Sequence, residues 1–363
     1  MSDQVTNYQC PNCTGPLRFA GESGQLECEH CGSKFEVSVV EQLYADKEQA
    51  AATAGTEPQW DLAGIGEEWS TEETAHLRSY SCPSCAAAII CDDTTAATSC
   101  PYCGNPTVVP GQFSGGLKPD YVIPFKLDKN AAIVALKKYY KGKRLLPKSF
   151  AEENHLDEIK GIYVPFWLYD GETEASMRFR GTKVKTYTRG DWRITDTDHY
   201  RVTRDGNVAF EKVPVDGSSK MPDAHMDAVE PFNYVDLKTF STAYLPGYLA
   251  DKYDEDAEMC SKRANERIIA STEKAFAATT SGYTTLTREY SNIDLKNGDV
   301  KYALLPVWLL ATKWNNKDFL FAMNGQTGKL IGDLPVDKGR YWGWFAKIAL
   351  PIAAVLAILL FLI

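Results

Sequence analysis

The chain has 363 residues, 44% of them hydrophobic and 24% charged, with a formal net charge of −9. It is too long for one small domain and too apolar for a disordered chain, so two or three folded units are predicted. Residues 1–110 carry −12 and the remainder +3, so the N-terminal third is poorly suited to neutralising a phosphate backbone.

The opening MSDQVTNYQC has no basic segment and no apolar run, so no signal peptide is expected there. The ten cysteines are therefore expected in a reducing compartment, where pairs read as metal ligands before disulfides. Cys10, Cys13, Cys28 and Cys31 form C-x2-C-x14-C-x2-C, and Cys82, Cys85, Cys100 and Cys103 repeat it 72 residues later. Each C-x-x-C is a tight turn that aims two thiolates at one point, and two turns complete a tetrahedron. Pro11, Pro83 and Pro101 fix φ after the first cysteine of their turns, and Gly32 and Gly104 supply positive φ after the second. Thr14 and Ala86 hold that place in the first turns and weaken them. The fourteen residues between pairs suit a β-hairpin, turning at Gly21–Gly24 in one copy and Asp92–Asp93 in the other.

Residues 1–38 and 80–112 are thus predicted to be two zinc ribbons, each holding one structural Zn²⁺ with no position open to water. A rubredoxin-type iron would use the same four thiolates. So small a module has little core, and the metal supplies its folding energy. His30 falls inside a turn that already has its cysteines and is expected in solvent, and Cys91 and Cys260 lack partners at ligand spacing.

Residues 39–79 form an acidic linker, with an Ala/Glu-rich start and a capping-box pattern at Ser70–Glu73. Trp60 and Trp69 stand out there, either packing on a neighbouring domain or anchoring a partner. From Pro119 the pattern becomes strands and amphipathic helices, as α+β units with antiparallel sheets over 113–238 and 239–336. YVPFWL (163–168) matches LLPVWL (304–309), and VIPFKLD (122–128) matches YLPGYLAD (244–251), which predicts an internal duplication. The proline in each strand predicts an edge or a bulge. Residues 185–215 read as a β-hairpin inserted in the first unit.

The segment YWGWFAKIALPIAAVLAILLFLI (341–363) is apolar all round, with an aromatic belt and Lys347 at its start. It predicts one transmembrane helix, against the alternative of a buried core helix. Lys338, Arg340 and Lys347 precede it, so the positive-inside rule places the body in the cytoplasm at the inner membrane, as a single-pass tail anchor. No catalytic pattern emerges. GQTGK (325–329) lacks phosphate-loop spacing and reads as a turn, DTDHY (196–200) reads as a solvated strand face, and His155, His199 and His225 stand singly.

Taken together, CPNC…CEHCG, CPSC…CPYCG, PDYVIPFKL, GIYVPFWLYDG, LLPVWLL and NGQTGK resemble the bacterial membrane-anchored double zinc-ribbon proteins (YdjG-like). Such chains are often labelled TFIIB-type or primosomal-helicase-like zinc ribbons. The resemblance spans nearly the whole chain and assigns a role only to the eight ribbon cysteines. It implies a non-enzymatic adaptor or scaffold at the cytoplasmic membrane, with SPFH/flotillin-like or phage-shock protein A-like partners in envelope stress. The alternative is a membrane-tethered zinc ribbon that binds nucleic acid, which the acidic N-terminal third disfavours.

Overall fold

The computed structural model describes residues 8–11, 16–21, 23–44, 60–112, 116–148, 150, 156–315 and 317–362. Cys13, Thr14, His155 and the Ala-rich stretch 45–59 lie outside them.

The first cysteine module is a three-stranded sheet of β1 (Leu17–Ala20), β2 (Gln25–Cys28) and β3 (Lys34–Phe35), followed by helix α1 (37–44). Its hairpin forms as predicted, with Leu17 opposite Cys28 and Ala20 opposite Gln25. The remaining strands belong to a twelve-stranded sheet: β4 (Trp60–Asp61), β5 (Leu77–Ser81), β6 (Ala88–Asp92), β7 (Val109–Gln112), β8 (Tyr121–Val122), β9 (Lys160–Arg189), β10 (Trp192–Asp216), β11 (Lys238–Thr239), β12 (Leu249–Asp251), β13 (Thr285–Trp314), β14 (Lys317–Asn324) and β15 (Leu330–Gly332). The helices around it are α2 (Thr71–Ala75), α3 (Lys129–Tyr140), α4 (Asp223–Val229), α5 (Ala257–Ala278) and α6 (Lys338–Leu362).

The second module is not a free ribbon. Its fourteen-residue interval holds only β6, and the hairpin predicted to turn at Asp92–Asp93 does not form. β6 pairs with β5 on one side and with β12 of the body on the other, Ile89 opposite Asp251 and Ile90 opposite Ala250. Leu17 and Arg18 stand 72 residues before Ile89 and Ile90. β12 therefore takes the place that β2 fills in the first module, and a strand supplied from the body removes the need for a second hairpin strand.

The body has two halves with similar strand pairing, and they interlock. β9 and β13 run antiparallel at the centre, with Tyr163 opposite Pro306 and Pro165 opposite Leu304. β12 lies parallel to β9 and β8 parallel to β13, so each half lends its short strand to the other half's long one. Pro124 and Pro246 set the predicted match of 122–128 with 244–251, and the structure moves it. Tyr121–Val122 occupies the same relation to β13 as Leu249–Ala250 does to β9. The N-caps correspond likewise: Asp128 accepts from Ala131 at α3 and Asp256 from Met259 at α5. A 3-10 turn at Thr242–Tyr244 fills the stretch that the prolines suggested was strand.

Pro165 and Pro306, the prolines of the two matched long strands, sit in central strands, not at an edge. Beside Pro165 the neighbour of β9 changes from β12 (Tyr163) to β10 (Phe166). Beside Pro306 the neighbour of β13 changes from β8 (Leu304) to β14 (Val307). At such a seam a missing N–H costs no ladder bond. The proline carbonyls remain useful, accepting from Gly217 at 2.9 Å and Gly325 at 2.8 Å.

β9 changes character along its length. Residues 161–169 are all buried, because both faces of the sheet are covered there. From Thr173 alternate residues are buried beneath α5, whose stripe Ala257, Cys260, Ala264, Ile268, Thr272 and Phe276 recurs at helical spacing. Beyond Thr182, which pairs with Thr285, β9 and β10 continue as a two-stranded arm turning at Gly190, so the predicted hairpin is a continuation of the central strand. At about 3.3 Å per residue, the 30 residues of β9 span roughly 100 Å.

From Trp60 onward, the described part of the predicted linker folds onto the body. β4 pairs with β13, and the Trp60 ring lies where a Cβ on Gly298 would come within 2.4 Å of it. Trp60 Nε1 donates to Asn265 Oδ1 at 2.9 Å, and Trp69 packs edge-on against Phe240. Both tryptophans thus pack on the body. The capping box at α2 is present, with Ser70 and Glu73 bonding reciprocally.

Among the described residues one helix is long and apolar enough to cross a membrane: Lys338–Leu359, 22 residues, none of them buried in the protein. At about 1.5 Å per residue it reaches about 33 Å, against a hydrocarbon core of about 30 Å. Its root is tied to the body, where Arg340 donates to the Leu146 carbonyl at 2.7 Å and Arg144 lies 4.5 Å over the Trp344 ring.

Candidate metal centres

Four side chains of the second module converge. The sulfurs of Cys82, Cys85, Cys100 and Cys103 all lie within 4.8 Å of one another. Cys82 and Cys103 are 3.7 Å apart, and Cys85 and Cys100 are 3.6 Å apart. Four sulfurs at about 2.3 Å from a tetrahedral zinc stand about 3.8 Å from one another, and a disulfide needs about 2.05 Å. The residues present therefore fit a tetrahedral cation and not a pair of disulfides. In the first module Cys10, Cys28 and Cys31 make a matching group, with Cys10 and Cys31 3.5 Å apart. The fourth predicted ligand, Cys13, is outside the described residues.

The turns repeat one geometry. The residue after the second cysteine donates its N–H to the first cysteine's carbonyl: Gly32 to Cys28 at 2.9 Å, Ala86 to Cys82 at 2.9 Å and Gly104 to Cys100 at 3.1 Å. All three have positive φ, at 70°, 57° and 69°. Ala86 thus carries the left-handed penalty of about 1–2 kcal/mol that glycine avoids. Its side chain is exposed, so Ala86→Gly is expected to raise stability by about 0.5–1 kcal/mol, read as a higher denaturant midpoint at unchanged slope.

Electrostatics explain how such thiols ionise together. Burial opposes the Cys82 thiolate, yet the backbone N–H groups of Cys85 and Ser84 point at its sulfur and bring it down to about 7. Burial pushes Cys85 up to about 11 and Cys100 higher still. A divalent cation held by these four would supply the charge that ionises them, and its binding would release their protons. Two lysines that no sequence pattern singles out stand close by. Lys160 reaches from the start of β9 to the Ser99 carbonyl at 2.7 Å, where burial holds its ammonium below the usual range. Lys220 pairs with Asp254 at 2.8 Å, which raises it. Their charges offset part of the net charge of about −2 that four thiolates leave on a zinc.

Behind the Cys100–Cys103 turn the fold hides polar groups. Tyr102 and Asp251 are both buried, and Ser218 Oγ donates to Asp251 Oδ2 at 2.6 Å. Burial pushes Asp251 up to about 7, and the Ser218 hydrogen bond only partly counters it. In front, Cys103 borders an open groove of about 990 Å³ lined also by Tyr102, Phe150, Lys220, Trp314 and Asp333.

The other singled-out residues fall elsewhere. His30 is exposed, and Cys91 and Cys260 are buried free thiols outside both groups. His199 lies on the exposed arm, and His225 is buried near Asp333. Asp196 and Asp198 face solvent opposite Lys185 and Lys183. Gly325–Thr327 is a turn between β14 and β15. At the arm's tip Trp192 is 77% exposed, beside Tyr187 at 48%. Tryptophan in an alternating strand carries no mark that distinguishes an exposed position from a core one, and only the end of the third strand does so.

A Bacillus subtilis (strain 168) protein with the name "Uncharacterized protein YdjG" is 36% identical over 346 residues, covering 95% of this chain and 94% of that one. No protein-family model matches the chain, and no solved structure matches it.

Proposed function

The chain belongs to the family of the Bacillus subtilis protein YdjG, and on that premise we propose that it is a non-enzymatic adaptor held on the cytoplasmic face of the inner membrane by its C-terminal helix. The observation that carries the anchor is the 22-residue apolar stretch, none of whose residues is buried in the body. Arg340 and Lys347 at its root fit a cytoplasmic body. The two cysteine groups are read as structural Zn²⁺ sites, the four-thiolate set leaving no coordination position for substrate or water. The adaptor role is supported by the exposed residues Tyr187 and Trp192 at the tip of the two-stranded arm, an aromatic pair of the kind that suits a protein partner. SPFH/flotillin-like or phage-shock protein A-like membrane-stress proteins are the partners that the family resemblance brings forward.

The test is fractionation followed by capture. The full chain is expected to stay with membranes after a carbonate wash, and recovery in the wash would sink the anchor. From detergent-solubilised membranes, the wild type is expected to retain a protein partner that Trp192→Ala loses by roughly tenfold or more, the scale of an aromatic hot spot. Equal retention by that variant, or retention of nucleic acid instead of protein, would overturn the adaptor assignment.

A further inference from the structure

The two cysteine groups share one spacing and one turn geometry, yet the fold treats them differently. The second is locked into the body. β5 and β6 belong to the twelve-stranded sheet, the Lys252 N–H donates to the Ala88 carbonyl at 3.1 Å, and the Gly247 N–H donates to Thr95 Oγ1 at 3.0 Å. Lys160 holds the Ser99 carbonyl next to a ligand. Opening that site requires breaking the main sheet. The first group sits on a separate three-stranded sheet whose strands are four, four and two residues long. Short sheets with few cross-links open at a small fraction of the global unfolding free energy.

The thiols differ in the same sense. In the second group Cys82 and Cys100 are buried and Cys85 and Cys103 half-buried. In the first group Cys10 and Cys28 are buried, whereas Cys31 is exposed. Oxidation of a metal-bound thiolate needs the oxidant to reach sulfur, so its rate follows exposure and local opening.

We propose that the first group is a labile zinc site whose modification point is Cys31, open to peroxides, while the second is a permanent one. This rests on the zinc assignment above. The Cys31 thiolate attacks one peroxide oxygen, the O–O bond breaks, and hydroxide leaves with the electron pair of that bond. The resulting sulfenic acid is a poor zinc ligand. The Cys10 thiolate, 3.5 Å away, then attacks the Cys31 sulfur, forms the S–S bond and expels a second hydroxide. Two thiolates lose two electrons, one peroxide gains them, and zinc is left with too few ligands to stay.

The experiment uses the detergent-solubilised full chain. Bound zinc is counted first, then hydrogen peroxide is added while a chelating dye reports release, and thiols are mapped by mass spectrometry. The expected result is two zinc ions per chain, one leaving roughly tenfold faster than the other or more, with a Cys10–Cys31 disulfide in the early samples. Cys31→Ser is expected to abolish the fast phase, and Cys103→Ser to leave it. Loss of both ions at one rate, or first oxidation at Cys103 through its groove, would overturn the inference while leaving the zinc assignment intact. Fewer than two zinc ions in the untreated wild type would overturn the zinc assignment and this inference with it.

Discussion

Replacing Cys82 and Cys100 together by serine is expected to lower the main thermal transition by roughly 10–20 °C, while the same change at Cys10 and Cys28 leaves that transition within about 2 °C. The asymmetry follows from where the sulfurs are attached. β6 carries β12, and β12 lies beside β9, so a disordered second module would strip one edge from the central sheet. It would also expose Ile89, Ile90 and Cys91, which are buried against the body. A structural zinc contributes about 10 kcal/mol or more of folding free energy; loss of about half of that from the body, at about 2–4 °C per kcal/mol, gives the expected shift. Among the described residues the first module shares no strand with the main sheet, so its loss removes only its own small transition. Calorimetry of the full chain with parallel zinc analysis decides the matter. Each double variant should lose one zinc ion, and equal shifts in the main transition would refute the embedded-module account.

The cysteine spacing made the convergence of the cysteine groups legible because the geometry of such turns is local. Two turns and their intervals fix where sulfurs converge, whatever surrounds them. The Asp128 cap, the Ser70–Glu73 box and the turn at Gly325 were legible for the same reason, each depending on residues within one turn. What the sequence hid is non-local. The match of Pro124 with Pro246 placed the duplication six residues out of step at its short strands, whereas the Asp128 and Asp256 caps are in step with them. The hairpin expected at Asp92–Asp93 assumed that each ribbon makes its own sheet, and no residue in 82–104 announces that Leu249–Asp251 will fill the gap. Pro165 and Pro306 looked like edge residues because a proline's lost N–H is harmless both at an edge and at a seam between neighbours, and sequence does not separate the two cases. Lys160 and Ser99 meet across 61 residues, and nothing in their spacing predicts it.

Asp251→Asn is expected to flatten the pH dependence of stability between about pH 4 and pH 7 and to stabilise the protein at about pH 8. Asp251 is 1% exposed, and the β6 residues across from its strand are apolar: it stands opposite Ile89, with Ala250 opposite Ile90. Burial pushes its carboxyl up to about 7 from an unfolded value of about 3.9. The native state therefore binds a proton through that window while the unfolded chain has released it, so stability falls as pH rises from about 4 to about 7. Below the window the carboxyl is neutral in both states and carries no charge penalty; above it the carboxylate is charged in both, and the burial penalty is fully present. About three pH units at about 1.36 kcal/mol each set a ceiling of about 4 kcal/mol on the effect. Asp216 is pushed up to about 7 as well, but it faces Arg263 at 3.1 Å, so its substitution would strand a guanidinium and cloud the measurement. In Asp251→Asn the amide oxygen can still accept from Ser218 Oγ, so the variant removes the charge and keeps the hydrogen bond. Denaturant unfolding at about pH 5 and about pH 8 is the measurement. Wild type should lose stability between those two conditions, and Asp251→Asn should lose less by about 1 kcal/mol or more. Parallel losses in the two proteins would mean that Asp251 is solvated or stays ionised across the window. Its place in β12, against β6, would then no longer make the joint between cysteine module and body sensitive to protons.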